Sequence, residues 1–169
     1  LSVGRLENQK NFQYLVNNFK NSGKKITIYG KGSKEQEITS LAKQIGLDLE
    51  IVNNISNKEL VSKLSFSKYF IQTSLFEGNP KALLESMAMG CIPVVSKIKN
   101  NEEIITNGKN GILIDVQSDE LKNIVEELLI DKKRLIEMSK YSQQTIYESY
   151  SLEKLFEIEY QDYLNLINS

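Results

Sequence analysis

Apolar residues along this chain fall into short continuous runs, separated by stretches in which they recur every three or four positions. The runs Leu1–Val3, Lys25–Tyr29, Leu47–Val52, Ser67–Gln72, Cys91–Val95 and Asn110–Ile114 read as strands. Between them the periodic stretches read as amphipathic helices. Their faces are Phe12, Leu15, Val16 and Phe19, then Ile38, Leu41, Ala42 and Ile45, then Leu60, Val61 and Leu64, and then Leu83, Leu84, Met87 and Ala88. After the last strand come Leu121, Ile124, Val125, Leu128 and Leu129, and then two C-terminal helices over residues 131–169. One runs from about Lys132 to Glu148 with Leu135, Met138 and Tyr141 inward. The other is capped by Ser151 and carries Leu152, Leu155, Phe156, Tyr160, Tyr163 and Ile167. Strands alternating with helices at this spacing predict an α/β protein: an open parallel sheet of about six strands with helices on both faces and right-handed connections. The apolar run around Val94 suits a strand buried on both sides.

Polar punctuation refines the boundaries. Ser33 with Gln36, and Ser56 with Glu59, have the spacing of capping boxes. Gly46 and Gly90 fit the position after a last helical turn. Asn79 has an N-cap side chain, and Pro80 suits a first helical position.

Composition narrows the function classes. The 169 residues suffice for one domain, and 21 basic against 22 acidic residues give no basic footprint for nucleic acid. The single cysteine, Cys91, lies in an apolar run and reads as a buried structural thiol. Without histidine there is no Ser-His-Asp triad and no His-ligated zinc. A lone cysteine cannot form an internal disulfide, which fits a reducing, cytoplasmic setting, at the inner face of the membrane if the full-length protein associates with one; no signal peptide or membrane-spanning run is present in the sequence. The chain opens directly on a strand, as expected of an excised domain or fragment.

The stretch from Ser74 to Gly90 carries chemistry on this frame. Glu77 lies in the loop before a helix and Glu85 lies almost two turns inside it. The helix start between them offers free N–H groups and a positive dipole end. A nucleotide diphosphate sugar would use all three parts, its diphosphate over the helix start and its hydroxyls on the carboxylates. Arg5 and Lys10 follow the first strand, where open α/β sheets take ligands. An Arg can grip phosphate bidentately and a Lys adds a point charge; two solvated surface cations are the alternative.

Ser74–Val95 resembles the Glu-x7-Glu segment of retaining glycosyltransferases with the GT-B fold, family 4 in particular. Gly4-Arg5-Leu6 with Lys10 resembles the same family's first loop. The resemblance covers nearly the whole chain, and only the C-terminal, donor-binding half of such an enzyme. It implies a Rossmann-like domain over residues 1–169, lacking the N-terminal acceptor-binding half. The implied activity is sugar transfer from a nucleotide diphosphate sugar, in bacterial surface polysaccharide or lipopolysaccharide synthesis. Arg5 and Lys10 would hold the diphosphate, Glu77 would contact the sugar and Glu85 the ribose hydroxyls. Gly30 and Gly32 are either close-approach positions near the donor or simply a tight turn. Asn54, which tolerates positive φ, stands near a usual glycine of the loop that reads the base. Gly78 and Asn79 adjoin Glu77; Asn79 caps the helix, touches the sugar, or does both. The backbone N–H groups of Lys81, Ala82 and Leu83 are candidate donor contacts, the Lys81 side chain pointing to water. Asn100-Asn101 replaces a usual Gly-Gly pair, so no site residue is assigned there.

Such enzymes work without a bound metal, in keeping with the lack of Asp-x-Asp and of histidine. No cofactor, nucleic acid or membrane partner is implied for this half; membrane association would come only through the missing half. The alternative is a non-catalytic nucleotide- or partner-binding module of the same fold. Retention of Arg5, Lys10, Glu77 and Glu85 together disfavours it. A dinucleotide-dependent oxidoreductase fails on the missing Gly-x-Gly-x-x-Gly after the first strand. A glycosidase needs two carboxylates but has no use for a phosphate grip.

Overall fold

The structure, a computed structural model, describes residues 1–151 together with Glu153, Lys154, Phe156, Tyr160 and Gln161. Among these residues six strands form: β1 (Ser2–Val3), β2 (Lys25–Tyr29), β3 (Asp48–Val52), β4 (Tyr69–Gln72), β5 (Ile92–Ser96) and β6 (Ile112–Ile114). The helices are α1 (Phe12–Asn18), α2 (Glu35–Gln44), α3 (Asn57–Ser65), α4 (Lys81–Ala88), α5 (Lys99–Glu102), α6 (Leu121–Ile130) and α7 (Lys132–Ser149). All strand pairs are parallel, in two three-stranded sheets ordered β1-β2-β3 and β4-β5-β6. The sheets meet along β1 and β4, where the Ile71 N–H donates to the Leu1 carbonyl at 2.9 Å and Ser2 Oγ to the Ile71 carbonyl at 2.5 Å. The strand order across the molecule is therefore 3-2-1-4-5-6, and it reverses at the β1/β4 seam.

Side-chain alternation divides the core into two layers. Ile26, Ile28, Ile71, Ile92 and Val94 pack with Phe12, Leu15, Val16, Ile38, Leu121 and Val125 on one face. Tyr29, Phe70, Cys91 and Val95 pack with Leu60, Leu64, Leu83 and Met87 on the other. Every residue of β5 is buried, as a central parallel strand requires. Burial lifts the Cys91 thiol to about 11, so it is a packed side chain and not a nucleophile.

The cap of α3 forms as its spacing predicts. Ser56 accepts from the Glu59 N–H and Glu59 reaches back to Ser56, whose hydroxyl and N–H hold the Glu59 carboxyl below its usual range. Three local expectations are corrected. Ser33 does not cap α2: its N–H and hydroxyl donate to the Glu7 carboxylate at 2.9 and 2.8 Å, and Lys34 occupies the cap position without a side-chain bond. The Glu7 carboxylate holds the Ser33 hydroxyl and N–H on the far side of the loop, away from the helix N–H groups a cap would accept from, and the helix starts later. Asn79 does not cap α4. Pro80, at ψ 55, is the boundary residue, and its own carbonyl accepts the Leu83 and Leu84 N–H groups. Tyr141 is exposed, under the Lys109 ammonium at 5.1 Å, because the buried seam of α7 runs through Met138 and Ser142. The Ser151 hydroxyl does accept the Lys154 N–H at 3.3 Å, and Phe156 and Tyr160 beyond it are exposed. Leu152, Leu155, Tyr163 and Ile167 lie outside the described residues.

Candidate active site

A cleft of about 390 Å3 opens at the carboxyl ends of β1 and β4, at the point where the strand order reverses. The loop after β1 supplies Gly4, Arg5, Gln9 and Lys10. The end of β4 and the loop after it supply Gln72, Glu77, Gly78, Asn79, Pro80, Lys81 and Ala82. The two loops are joined backbone to backbone. The Leu75 N–H donates to the Gln9 carbonyl at 2.8 Å and Gln9 Nε2 to the Phe76 carbonyl at 2.9 Å. Thr73 Oγ1 reaches the carbonyls of Lys10 and Asn11, and Ser96 Oγ the Ser74 carbonyl. Asn100 Nδ2 holds the Gly78 carbonyl at 3.0 Å, so the Asn-Asn segment braces the loop although it does not line the cleft.

At the floor, Lys10 Nζ lies 2.5 Å from Glu77 Oε1. The same oxygen accepts from Ser74 Oγ at 2.6 Å and from Gln72 Nε2 at 3.2 Å. The two charged side chains are 16% and 6% exposed, so the pair is largely out of water and its charges compensate one another. Gly4 makes room for it: a Cβ there would sit 3.0 Å from Cδ and Cε of Lys10. Gln72 is buried, and its Oε1 has no hydrogen-bond partner among the described residues. Arg5, by contrast, is exposed and makes no ion pair among the described residues.

The remaining predicted residues are placed around this cleft, not all in it. Glu85 is outside it, accepting from Asn57 Nδ2 at 3.2 Å, with Lys81 Nζ at 3.7 Å. The Lys81 N–H is already donated to the Asn79 carbonyl, and that of Leu83 to the Pro80 carbonyl, both at 2.9 Å. Ala82 alone of the three keeps an N–H without a partner among the described residues. Gly30 and Gly32 line no part of the cleft. A Cβ on Gly30 would stand 1.9 Å from the Gly4 carbonyl oxygen, and one on Gly32 2.5 Å from that of Leu6. The close approach these glycines permit is that of the first loop's backbone. Asn54 has φ 57, as expected, and its Oδ1 accepts from Lys31 Nζ at 3.2 Å.

Sequence reasoning missed Gln9, Gln72, Ser74, Asn57 and Asn100. Only Ser74 and Gln72 carried a signal, as polar residues closing an apolar strand before a glutamate. Among the described residues no cluster of three or more His, Cys, Asp or Glu side chains could hold a metal ion.

A doubly wound parallel sheet with cations and a carboxylate at its switch point defines an α/β domain of the GT-B type. The chain belongs to the glycosyl transferases group 1 family, whose model matches residues 1–145. It is 27% identical over 135 residues to the N-acetylgalactosamine-N,N'-diacetylbacillosaminyl-diphospho-undecaprenol 4-alpha-N-acetylgalactosaminyltransferase of Campylobacter jejuni, covering 75% of this chain and 37% of that one. Its fold matches the C-terminal domain of LpcC, a group 1 family glycosyl transferase of Francisella tularensis, at a TM-score of 0.78 and 20% identity. That match covers 89% of this chain and 85% of the other. It also matches HepE of Anabaena, solved with UDP-glucose, at a TM-score of 0.84 and 18% identity, over 99% of this chain and 49% of that one. The chain spans between 30% and 46% of the length of the curated relatives it matches.

Proposed function

We propose that this chain is the donor-binding domain of a retaining glycosyltransferase and binds a nucleotide diphosphate sugar in the cleft between the β1–α1 and β4–α4 loops. The observation that carries the reading is the meeting, at the switch point, of Arg5 and Lys10 with Glu77 and the start of α4. The nucleotide sugar bound by HepE, which shares the fold, supports the ligand class.

In this reading the diphosphate lies between Arg5, which makes no ion pair among the described residues, and Lys10, which has donors left after its bond to Glu77. The Ala82 N–H and the dipole of α4 face it as well. As the bond from sugar to diphosphate breaks, negative charge grows on the leaving nucleotide, and these groups offset it without a metal. Glu77, with Oε1 fixed by three donors, presents its carboxylate to the sugar beside Gly78 and Asn79. Glu85, held by Asn57, takes the ribose hydroxyls. The base lies toward the Asn54 loop, and Gly30 and Gly32 keep the first loop in position.

The acceptor belongs to the half not represented here. Surface polysaccharide synthesis as the setting is supported by two relatives named for amylovoran and capsular polysaccharide biosynthesis, and we place it in the cytoplasm, at the inner face of a membrane in the full-length protein. No helix among the described residues is long and apolar enough to cross one. The domain alone is expected to bind nucleotide weakly and to transfer no sugar; robust transfer by these 169 residues in a radiolabelled-donor assay contradicts a two-half site.

Calorimetry tests the donor site directly. Arg5→Ala should weaken nucleoside diphosphates and their sugars by about tenfold, the worth of one charge-assisted phosphate contact, and leave the nucleoside unchanged. Glu85→Ala should weaken nucleoside and nucleotide alike. Equal losses for nucleoside and diphosphate in Arg5→Ala would remove its phosphate role. A thermal-shift panel in which nicotinamide dinucleotides stabilise the chain and nucleotide sugars do not would overturn the whole reading.

A further inference from the structure

The edge of the sheet opposite the cleft carries a surface that the donor site does not use. Phe66, at the end of α3, is 88% exposed, and Ile136 on α7 is 58% exposed. Both line an open, mainly apolar trough of about 560 Å3, with Leu135 beneath. Lys68, Lys132 and Lys140 stand around it and, among the described residues, no carboxylate does. None of the three lysines makes an ion pair among the described residues. The acidic side chains nearest along α7 make no ion pair with these lysines. Asp131 accepts the Arg134 N–H at 3.0 Å, and Glu137 lies 4.0 Å from Lys133. The chain has almost as many basic as acidic residues, so unpaired cations gathered around exposed apolar side chains are a local segregation. Exposed apolar patches of this kind mark contact surfaces.

We propose that this edge docks on an anionic phospholipid leaflet, with Phe66 and Ile136 entering the acyl boundary and Lys68, Lys132 and Lys140 against the lipid phosphates. The charge sets the partner: lysines without carboxylates gain at an anionic surface and nowhere else. The apolar tips set its phase. A folded or peptide partner would need a pocket placed to receive Phe66, which stands clear of its own domain; an acyl layer accepts it at any position. Lys68 immediately precedes β4 and Gly90, also at the trough, precedes β5, so docking takes place at the amino ends of the strands. The donor cleft at their carboxyl ends stays open to solvent. Attachment would then involve this half directly, and not the acceptor half alone.

Flotation of the chain with phosphatidylcholine vesicles, with and without phosphatidylglycerol, tests this. Binding is expected only with phosphatidylglycerol, weakening as salt is raised. The triple substitution Lys68→Glu, Lys132→Glu and Lys140→Glu should reduce it by about tenfold or more, given the usual worth of a lysine at such a surface. Phe66→Ser should reduce it without a change in melting temperature, since the side chain is already in water. Nucleotide affinity should be unchanged in both variants, which separates this docking from the donor site. Failure of the unmodified chain to float with anionic vesicles overturns the proposal, as does undiminished flotation of the variants. So does saturable binding of an acidic amphipathic peptide by a chain that ignores vesicles, which would show a protein partner instead.

Discussion

Lys10→Met is expected to lower the stability of this domain by about 3 kcal/mol, toward the low end of the cost of breaking a buried ion pair. The substitution leaves Glu77, 6% exposed, with only the Ser74 hydroxyl and the Gln72 amide to compensate its charge. Those two bonds keep the loss from being larger. The reverse change, Glu77→Gln, should cost less. Lys10 is the more exposed partner, and its ammonium can turn from the floor toward the open cleft. The double variant removes both charges and should recover much of the loss, giving a coupling of about 2 kcal/mol in a double-mutant cycle. Urea midpoints at constant m-value measure all four corners. Simple additivity would mean that the pair is not a unit in solution. Nucleotide sugar binding should fall in both single variants, because the pair sets where each charge stands.

Gly30→Ala should be similarly severe, at about 3 kcal/mol or more, the range of substitutions that force backbone apart. The added methyl would stand 1.9 Å from the Gly4 carbonyl oxygen, and that atom is main chain, so no rotamer change relieves the clash. At φ 154 an L residue is also strained there. Gly4 in turn is the residue over which the Lys10 stem passes, so the damage carries into the cleft floor. Gly32→Ala should behave alike, with its methyl 2.5 Å from the Leu6 carbonyl oxygen. Gly78 is the control. A Cβ there meets nothing within 4 Å, and Gly78→Ala should shift stability by no more than about 0.5 kcal/mol. Thermal melts of the three variants decide it. A Gly30→Ala protein that melts with the Gly78→Ala protein would show that the first loop does not pack on β2 as described.

The two glycines also show where sequence reasoning reaches its end. A Gly-x-Gly after a strand states that backbone passes close to something, and leaves open whether that is a ligand or another loop. The chain that passes close is Gly4–Leu6, a contact between segments far apart in sequence. Glu77 was legible as the acid before a helix, and Lys10 as a cation after the first strand. That they form a pair on a shared floor was not, since nothing at either position encodes the other. Asn79 and Ser33 have the side chains of helix caps, and in neither case does the cap form. At Asn79 the proline after it takes the boundary, and at Ser33 the carboxylate of Glu7 takes the hydroxyl. The Ser56–Glu59 box, whose partners are local to one turn, forms as read.

By itself the sequence determined the order of the strands and of the longer helices, the two-faced core and the family, while the short α5 left no apolar period to read. Hydrophobic period and motif spacing are local properties, and helices and buried strands follow from them. Only the tertiary structure decided that β1 and β4 lie side by side, so that loops from the two halves of the chain close on one cleft. It also decided which polar groups are left over there: Arg5 without an ion pair among the described residues, Lys10 and Glu77 matched, and Glu85 turned to α3. The reason is that charge compensation and hydrogen-bond satisfaction depend on through-space neighbours, and in this fold those neighbours come from opposite sides of the switch point.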